Sequence, residues 1–179
     1  FKYYGITLQD QIKITDAISA SAALRYDKVE QQLTTAVPPE NARQQKEKYS
    51  NVSPTLGVMW DVGGGVKPYI SYAESFQVEG MYGSRKVDGS LLKPETAKQT
   101  EVGVKWQSAD KRILLTGDLF NIKMNDRVVS DPDNEGYSIQ GKRTGAGVFI
   151  QSAYLEPDRP VHLRQESIQG SIYGRRRNA

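Results

Sequence analysis

The sequence predicts an all-β fold: an antiparallel sheet of about six or seven long strands that forms a fragment of a transmembrane β-barrel, with an irregular C-terminal tail. Three observations predict it. Segments of ten or more residues alternate apolar with polar side chains, their connections are short at one end and long at the other, and two tryptophans stand on the apolar face beside short turns.

The strands are expected at about 3–14, 18–30, 49–62, 66–76, 95–107 and 111–129, with a seventh opening near Tyr137. Soluble strands are commonly about 5 to 6 residues long. A tilted strand that crosses a bilayer needs about 9 to 11. Side chains two apart share a face of a strand. The second strand puts Ile18, Ala20, Ala22, Leu24 and Tyr26 on one face, against Ser19, Ser21, Ala23, Arg25 and Asp27. The third sets Val52, Pro54, Leu56, Val58 and Trp60 against Asn51, Ser53, Thr55, Gly57 and Asp61, with Met59 out of pattern. The fourth sets Val66, Pro68, Ile70 and Tyr72 against Lys67, Tyr69, Ser71 and Ala73. In the fifth, Thr100, Val102, Val104 and Trp106 oppose Gln99, Glu101, Gly103, Lys105 and Gln107. The sixth is less regular, because Ile113-Leu114-Leu115 is continuously apolar and Gly117, Leu119 and Asn121 make a mixed face.

Tight turns are signalled at Thr15-Asp16-Ala17, Val62-Gly63-Gly64-Gly65 and Ser108-Ala109-Asp110-Lys111. The other connections are long and polar, at about 31–48 and 77–93, with a shorter one at 131–136. Alternation alone favours a plainer reading, an antiparallel sheet with one face on a soluble core and one in water, which is the default for such a pattern. The unequal connections, the placing of Trp60 and Trp106, and the lack of a central charge on the apolar faces of strands two to five favour lipid. Glu74 and Lys98 fall at loop ends, where a charge costs little. An open sheet edge does not survive in hydrocarbon, so a membrane barrel needs more strands than these.

Composition excludes several function classes. No run of about 18 to 20 apolar residues is present to form a spanning helix. The chain has no cysteine, which removes disulfides and thiolate metal sites. The net charge of +3 does not indicate a nucleic-acid partner: residues 142–179 hold 7 basic against 3 acidic residues, and residues 1–141 the remaining 17 against 18. No leader peptide is legible at Phe1, and the chain reads as an internal fragment.

The stretch Leu92-Lys93-Pro94-Glu95-Thr96-Ala97-Lys98-Gln99-Thr100-Glu101-Val102-Gly103-Val104-Lys105-Trp106 resembles the barrel of TonB-dependent siderophore receptors. Gly57-Val58-Met59-Trp60-Asp61, the segment from Pro68 to Phe76 and the segment from Leu119 to Asp126 follow that family's order and spacing. The likeness covers about residues 3–141 and is nearest the ferric hydroxamate, ferrichrome-type branch. It implies a 22-stranded barrel of the bacterial outer membrane, plugged by an N-terminal domain, that imports a ferric siderophore with energy from TonB. The ligand would be the ferric siderophore, with no cofactor bound directly. The other partners implied are the TonB complex, through an N-terminal part not in this sequence, and outer-membrane lipid. The long loops would face the medium and the short turns the periplasm.

The likeness ends near Val148, after which Phe149 breaks the pattern and the basic residues begin to accumulate. Residues 1–141 are therefore expected to be barrel, and 142–179 an aberrant tail, either the product of a slipped reading frame near 143–149 or a disordered extension.

No catalytic constellation is legible, and the chain is not expected to be an enzyme. The only histidine, His162, lies in the tail. Gly63-Gly64-Gly65 lacks the Lys-Ser/Thr and helix of a phosphate loop. Asp131, Asp133 and Glu135 lack a distal Glu for calcium and contain Pro132. Aromatics at loop ends, Phe76, Tyr82 and Tyr137, are the expected siderophore contacts, with Arg85 as an anion partner; the alternative is that they pack within the loops or anchor them at the interface. Rival readings of the whole are a soluble all-β ligand-binding module and a passive porin.

Overall fold

The structure is a computed structural model and describes residues 2–35, 43–78, 86–154 and 166–175. These form one antiparallel sheet of eight strands in sequence order: β1 (Lys2–Lys13), β2 (Ile18–Thr35), β3 (Arg43–Trp60), β4 (Val66–Gln77), β5 (Glu95–Gln107), β6 (Ile113–Ser130), β7 (Ser138–Tyr154) and β8 (Glu166–Arg175). Each strand pairs with its neighbours in the chain, an up-and-down meander whose order follows directly from three tight turns alternating with longer connections.

The turns close as their residues dictate. Thr15 Oγ1 accepts from the Ile18 amide at 2.9 Å, which seals the first. In the second, Gly63, Gly64 and Gly65 all have positive φ, and a Cβ on Gly65 would stand 2.0 Å from the Gln107 carbonyl oxygen, so no other residue fits there. In the third, the Ser108 amide donates to the Ile113 carbonyl at 2.9 Å, while Lys111 takes a left-handed φ of 58°.

Polarity across the sheet is reversed from that of a water-soluble fold. Leu8, Leu24, Leu56, Val102 and Leu119 are half or more exposed, whereas Asp27 is 2 % exposed and Asp118 9 %. One ladder row, Ile12, Ala20, Val58, Ile70, Val102, Leu119 and Val148, crosses seven strands without a charge. The register of β6 follows: Leu115 and Leu119 share the apolar face, and Leu114, Asp118 and Phe120 the polar one. The apolar band also slides along the strands. On β3 it runs from Trp60 to Val52, with Lys48 beyond; on β5 it runs from Trp106 to Thr100, with Lys98 next on that face. A band that slides against the ladder rows means that the strands cross the membrane at a tilt, as barrel closure requires.

Three expectations need correction. The sheet has eight strands rather than six or seven. The polar stretch at 31–48 is not all loop, because β2 and β3 stay paired out to Thr35↔Arg43. Eighteen residues at about 3.3 Å each reach roughly 60 Å, so this hairpin rises well beyond a hydrocarbon layer of about 30 Å even when tilted. Outside lipid a ladder needs only backbone hydrogen bonds and no apolar period. The tail, finally, is not irregular from residue 142, since β7 runs through that point to Tyr154 and β8 pairs with it. Ala146, Val148 and Ile150 continue the apolar face, while Gly145, Gly147 and Phe149 turn the other way.

Candidate functional site

With the apolar face assigned to lipid, chemistry is left to the polar face and to the long-loop rim. At the middle of the polar face Tyr69 on β4, Glu101 on β5 and Asp118 on β6 stand together, because the pairings Tyr69↔Gly103 and Gly103↔Asp118 bring their strands into register there. Tyr69 Oη donates to Glu101 Oε1 at 2.6 Å, Gln99 Nε2 donates to Glu101 Oε2 at 3.1 Å, and Lys105 Nζ lies 5.2 Å from the Tyr69 ring centroid. Gly103 makes this possible. A Cβ there would lie 2.7 Å from both the Tyr69 ring and Asp118 Cβ.

A second cluster lies on β1 and β2, where Asp27 accepts hydrogen bonds from the Tyr3 hydroxyl and from Arg25 Nε, the latter at 2.9 Å. Arg25 is left half exposed on the polar face. Nearer the rim, Arg127 Nη1 sits 3.3 Å from Glu95 Oε1.

The returning limb of the β4–β5 connection is fastened at two points. Tyr49 Oη donates to the Leu92 carbonyl at 3.4 Å, and Leu92 is buried. One residue on, Gln140 of β7 clasps the Lys93 backbone: its Oε1 accepts from Lys93 N at 3.0 Å and its Nε2 donates to Lys93 O at 2.7 Å. The same Nε2 donates to Asp126 O at 2.8 Å, at a β-bulge where Asp126 has a left-handed φ of 56°. A recess of about 510 Å³ lies here, lined by Lys86, Asp88, Lys93, Asp126, Asp131 and Gln140 among others.

The loop and turn carboxylates are tuned by local donors. Asp131 is held below the usual carboxylate range by the Asp133 amide and the Asn134 side chain, and Asp61 by Lys67 and the Gly63 amide.

Of the predicted contacts, Phe76 falls near the end of β4 on the face it shares with Ile70, Tyr72 and Glu74, which is the lipid side. Tyr137 is 41 % exposed and closes the Asp131–Tyr137 loop through its carbonyl, which accepts from Asp131 N at 2.9 Å. Neither lines the recess. Tyr82, Arg85 and His162 lie outside the described residues. Sequence reasoning passed over Gln140, which has no local pattern to mark it. Asn125-Asp126 was the signal available for the bulge, since Asp and Asn tolerate the left-handed region.

No group of three or more potential metal ligands occurs among the described residues. Comparison with known proteins agrees with the geometry. The family described as TonB dependent receptor-like, beta-barrel matches residues 1–170, past the expected boundary at Gly141. The ferrichrome outer membrane transporter/phage receptor of Escherichia coli K12 is 30% identical over 152 residues, covering 84% of this chain and 19% of that protein. The closed-form crystal structure of the ferric-catecholate import receptor Fiu from E. coli K12 superposes with a TM-score of 0.71 at 21% identity, over 98% of this chain and 28% of Fiu. The ferripyoverdine receptor of Pseudomonas aeruginosa, bound to ferripyoverdine, does so with a TM-score of 0.71 at 16% identity, over 96% and 22%. The chain thus spans about a fifth of the length of the curated relative it matches.

Proposed function

The chain belongs to the TonB-dependent receptor-like β-barrel family, and on that premise we propose that it forms part of the wall of an outer-membrane receptor that takes up ferric siderophores with energy relayed through TonB. The observation that carries this reading is the reversal of polarity, with Leu8 and Leu119 facing out and Asp27 and Asp118 sheltered on the other face. A soluble module would bury the leucine stripe, and a passive porin would not carry the match to a TonB-dependent receptor family over residues 1–170.

In this reading the polar face with Tyr69, Glu101 and Asp118 lines the interior of the barrel, where a plug domain would dock. The β4–β5 loop and the recess at Gln140 belong to the long-loop rim, on the side of β7 that Gln140 shares with Ala146 and Val148. The siderophore presents a chelated ferric ion, so the wall supplies complementary surface rather than iron ligands. Tyr82 and Arg85 in that loop, with Tyr137, are the proposed contacts. Phe76, on the lipid side, fits an interfacial anchor better. Similarity to the ferrichrome transporter supports a hydroxamate-class cargo.

Uptake of radiolabelled ferric siderophores by cells with the gene deleted, complemented, or complemented without functional TonB tests the proposal. Hydroxamate uptake should fall to background in the deletion and in the strain lacking TonB. Unchanged uptake of every ferric siderophore tried would refute it.

A further inference from the structure

The strands are not equally knitted to one another. β2 and β3 pair from Ile18↔Trp60 to Thr35↔Arg43, and β4 and β5 pair over the whole of Val66–Gln77. Between β3 and β4 the ladder runs only from Thr55↔Ala73 to Met59↔Tyr69, the shortest among the described residues. A proline stands just outside each end of it: Pro54 precedes Thr55 on β3, and Pro68 precedes Tyr69 on β4.

The prolines account for both ends. Along an antiparallel strand, successive residues turn their backbone hydrogen-bonding groups toward opposite neighbours. Pro54 sits opposite Leu24 within the unbroken β2–β3 ladder, and Pro68 opposite Val104 within the β4–β5 ladder. A proline keeps such a place only where its nitrogen points away from that partner, so both turn the missing N–H toward the β3–β4 joint. By the same alternation, Leu56↔Tyr72 and Val58↔Ile70 are the hydrogen-bonded pairs of the joint. Further toward the long loops, Ser50 and Val52 on β3 and Glu74 and Phe76 on β4 aim their backbone groups into the joint with no ladder partner across it. On β4 this open stretch starts where Tyr72 gives way to Glu74 at the border of the apolar face, within reach of water.

The two ends of the joint are held differently. At the short-turn end Val62 N donates to Val66 O at 3.1 Å, Lys67 Nζ lies 3.1 Å from Asp61 Oδ2, and Gln107 N donates to Gly65 O at 3.0 Å. At the long-loop end Tyr49 Oη of β3 donates to Leu92 O at 3.4 Å. Leu92 goes with β4–β8, because Gln140 of β7 grips the residue after it.

From this arrangement we infer that the β3–β4 joint is a hinge in the barrel wall: the panel β1–β3 and the panel β4–β8 part at their long-loop ends and close again, with the Gly63-Gly64-Gly65 turn as pivot and the Tyr49–Leu92 hydrogen bond as latch. Parting widens the rim between β3 and β4, so the wall itself, and not only its loops, sets the width of the mouth. The inference follows from the strand pairing alone and does not depend on which cargo the receptor carries.

The test is pulsed dipolar spectroscopy of spin-label pairs in the receptor encoded by the whole gene, held in outer-membrane vesicles and freed of any other cysteine. Labels at Ser50→Cys and Lys123→Cys span the joint; Lys2→Cys with Ser50→Cys, and Gln77→Cys with Lys142→Cys, each lie within one panel. The spanning pair should show two distances and each within-panel pair one. Tyr49→Phe should raise the ratio of the longer to the shorter distance by about two- to tenfold, the worth of one hydrogen bond. Pro54→Val together with Pro68→Val restores both donors and should leave the shorter distance alone. Heat-modifiable migration on gels verifies that each variant is folded. A single narrow distance across the joint in the unaltered receptor would overturn the inference without any variant. So would two distances within either panel, a folded Tyr49→Phe variant with an unchanged ratio, or a folded double valine variant that keeps both distances.

Discussion

Tyr69 and Gly103 face each other across the β4–β5 ladder, and the tyrosine ring occupies the space that a side chain on Gly103 would need. The missing Cβ lets the ring lie flat over β5, where its hydroxyl reaches Glu101. Gly103→Ala should therefore displace Tyr69 and cost about 1–3 kcal/mol, the usual range for overpacking. Urea-dependent folding into lipid vesicles, read by heat-modifiable migration, measures it. A variant as stable as the original would show that the ring yields freely.

Val102 and Leu119 are cross-strand partners at the middle of the lipid-facing row. Arginine at either position should destabilise the folded protein by about 2–4 kcal/mol. Ser71→Arg, on the opposite face of β4 beside Glu101, should bring no comparable loss. The same folding assay compares the three.

Gln140 makes three hydrogen bonds to backbone groups that are far away in sequence. At about 0.5–1.5 kcal/mol for each neutral bond, Gln140→Ala should loosen the limb around Lys93 enough to raise its cleavage on intact cells by about tenfold or more. Trypsin digestion followed by mass mapping at the Lys86–Val87 bond gives the rate, since Pro94 protects the bond after Lys93.

The Asp131–Tyr137 loop should open in acid. Its carboxylate is favoured in the charged form by the Asp133 amide, so its folded pKa lies below the unfolded value. The stabilisation is then complete above an unfolded pKa of about 3.9 and is lost as the pH falls through the lower folded value. Hydrogen–deuterium exchange, corrected for the intrinsic rate, should be flat from neutral pH to about 5 and accelerate only below about 4. Asp131→Asn should remove that acid step.

How much of this was legible beforehand depends on what kind of force places each residue. Lipid acts on every second side chain, so the stripes Val102, Val104, Trp106 and Leu24, Tyr26 are visible as a period, and the strands they mark are where the sequence places them. The upper β2–β3 hairpin lies outside lipid and has no such period, so it reads as loop. In β7 the alternation is masked because Gly145 and Gly147 are too small to declare a face and Phe149 is apolar on the polar side. The Gln140 clasp joins residues 47 apart, and no local pattern encodes a contact of that range.

The central claim is that alternate residues of each strand face lipid and the barrel interior. These 179 residues contain no cysteine, so single cysteines placed along β5 from Glu101 to Lys105 meet no competing thiol within this stretch. Spin labels on them in native outer membranes, tested against lipid-soluble oxygen and a water-soluble nickel chelate, read the two environments separately. Positions 102 and 104 should respond to oxygen, and positions 101, 103 and 105 to the chelate. A uniform response along the strand, or the opposite alternation, would contradict the account.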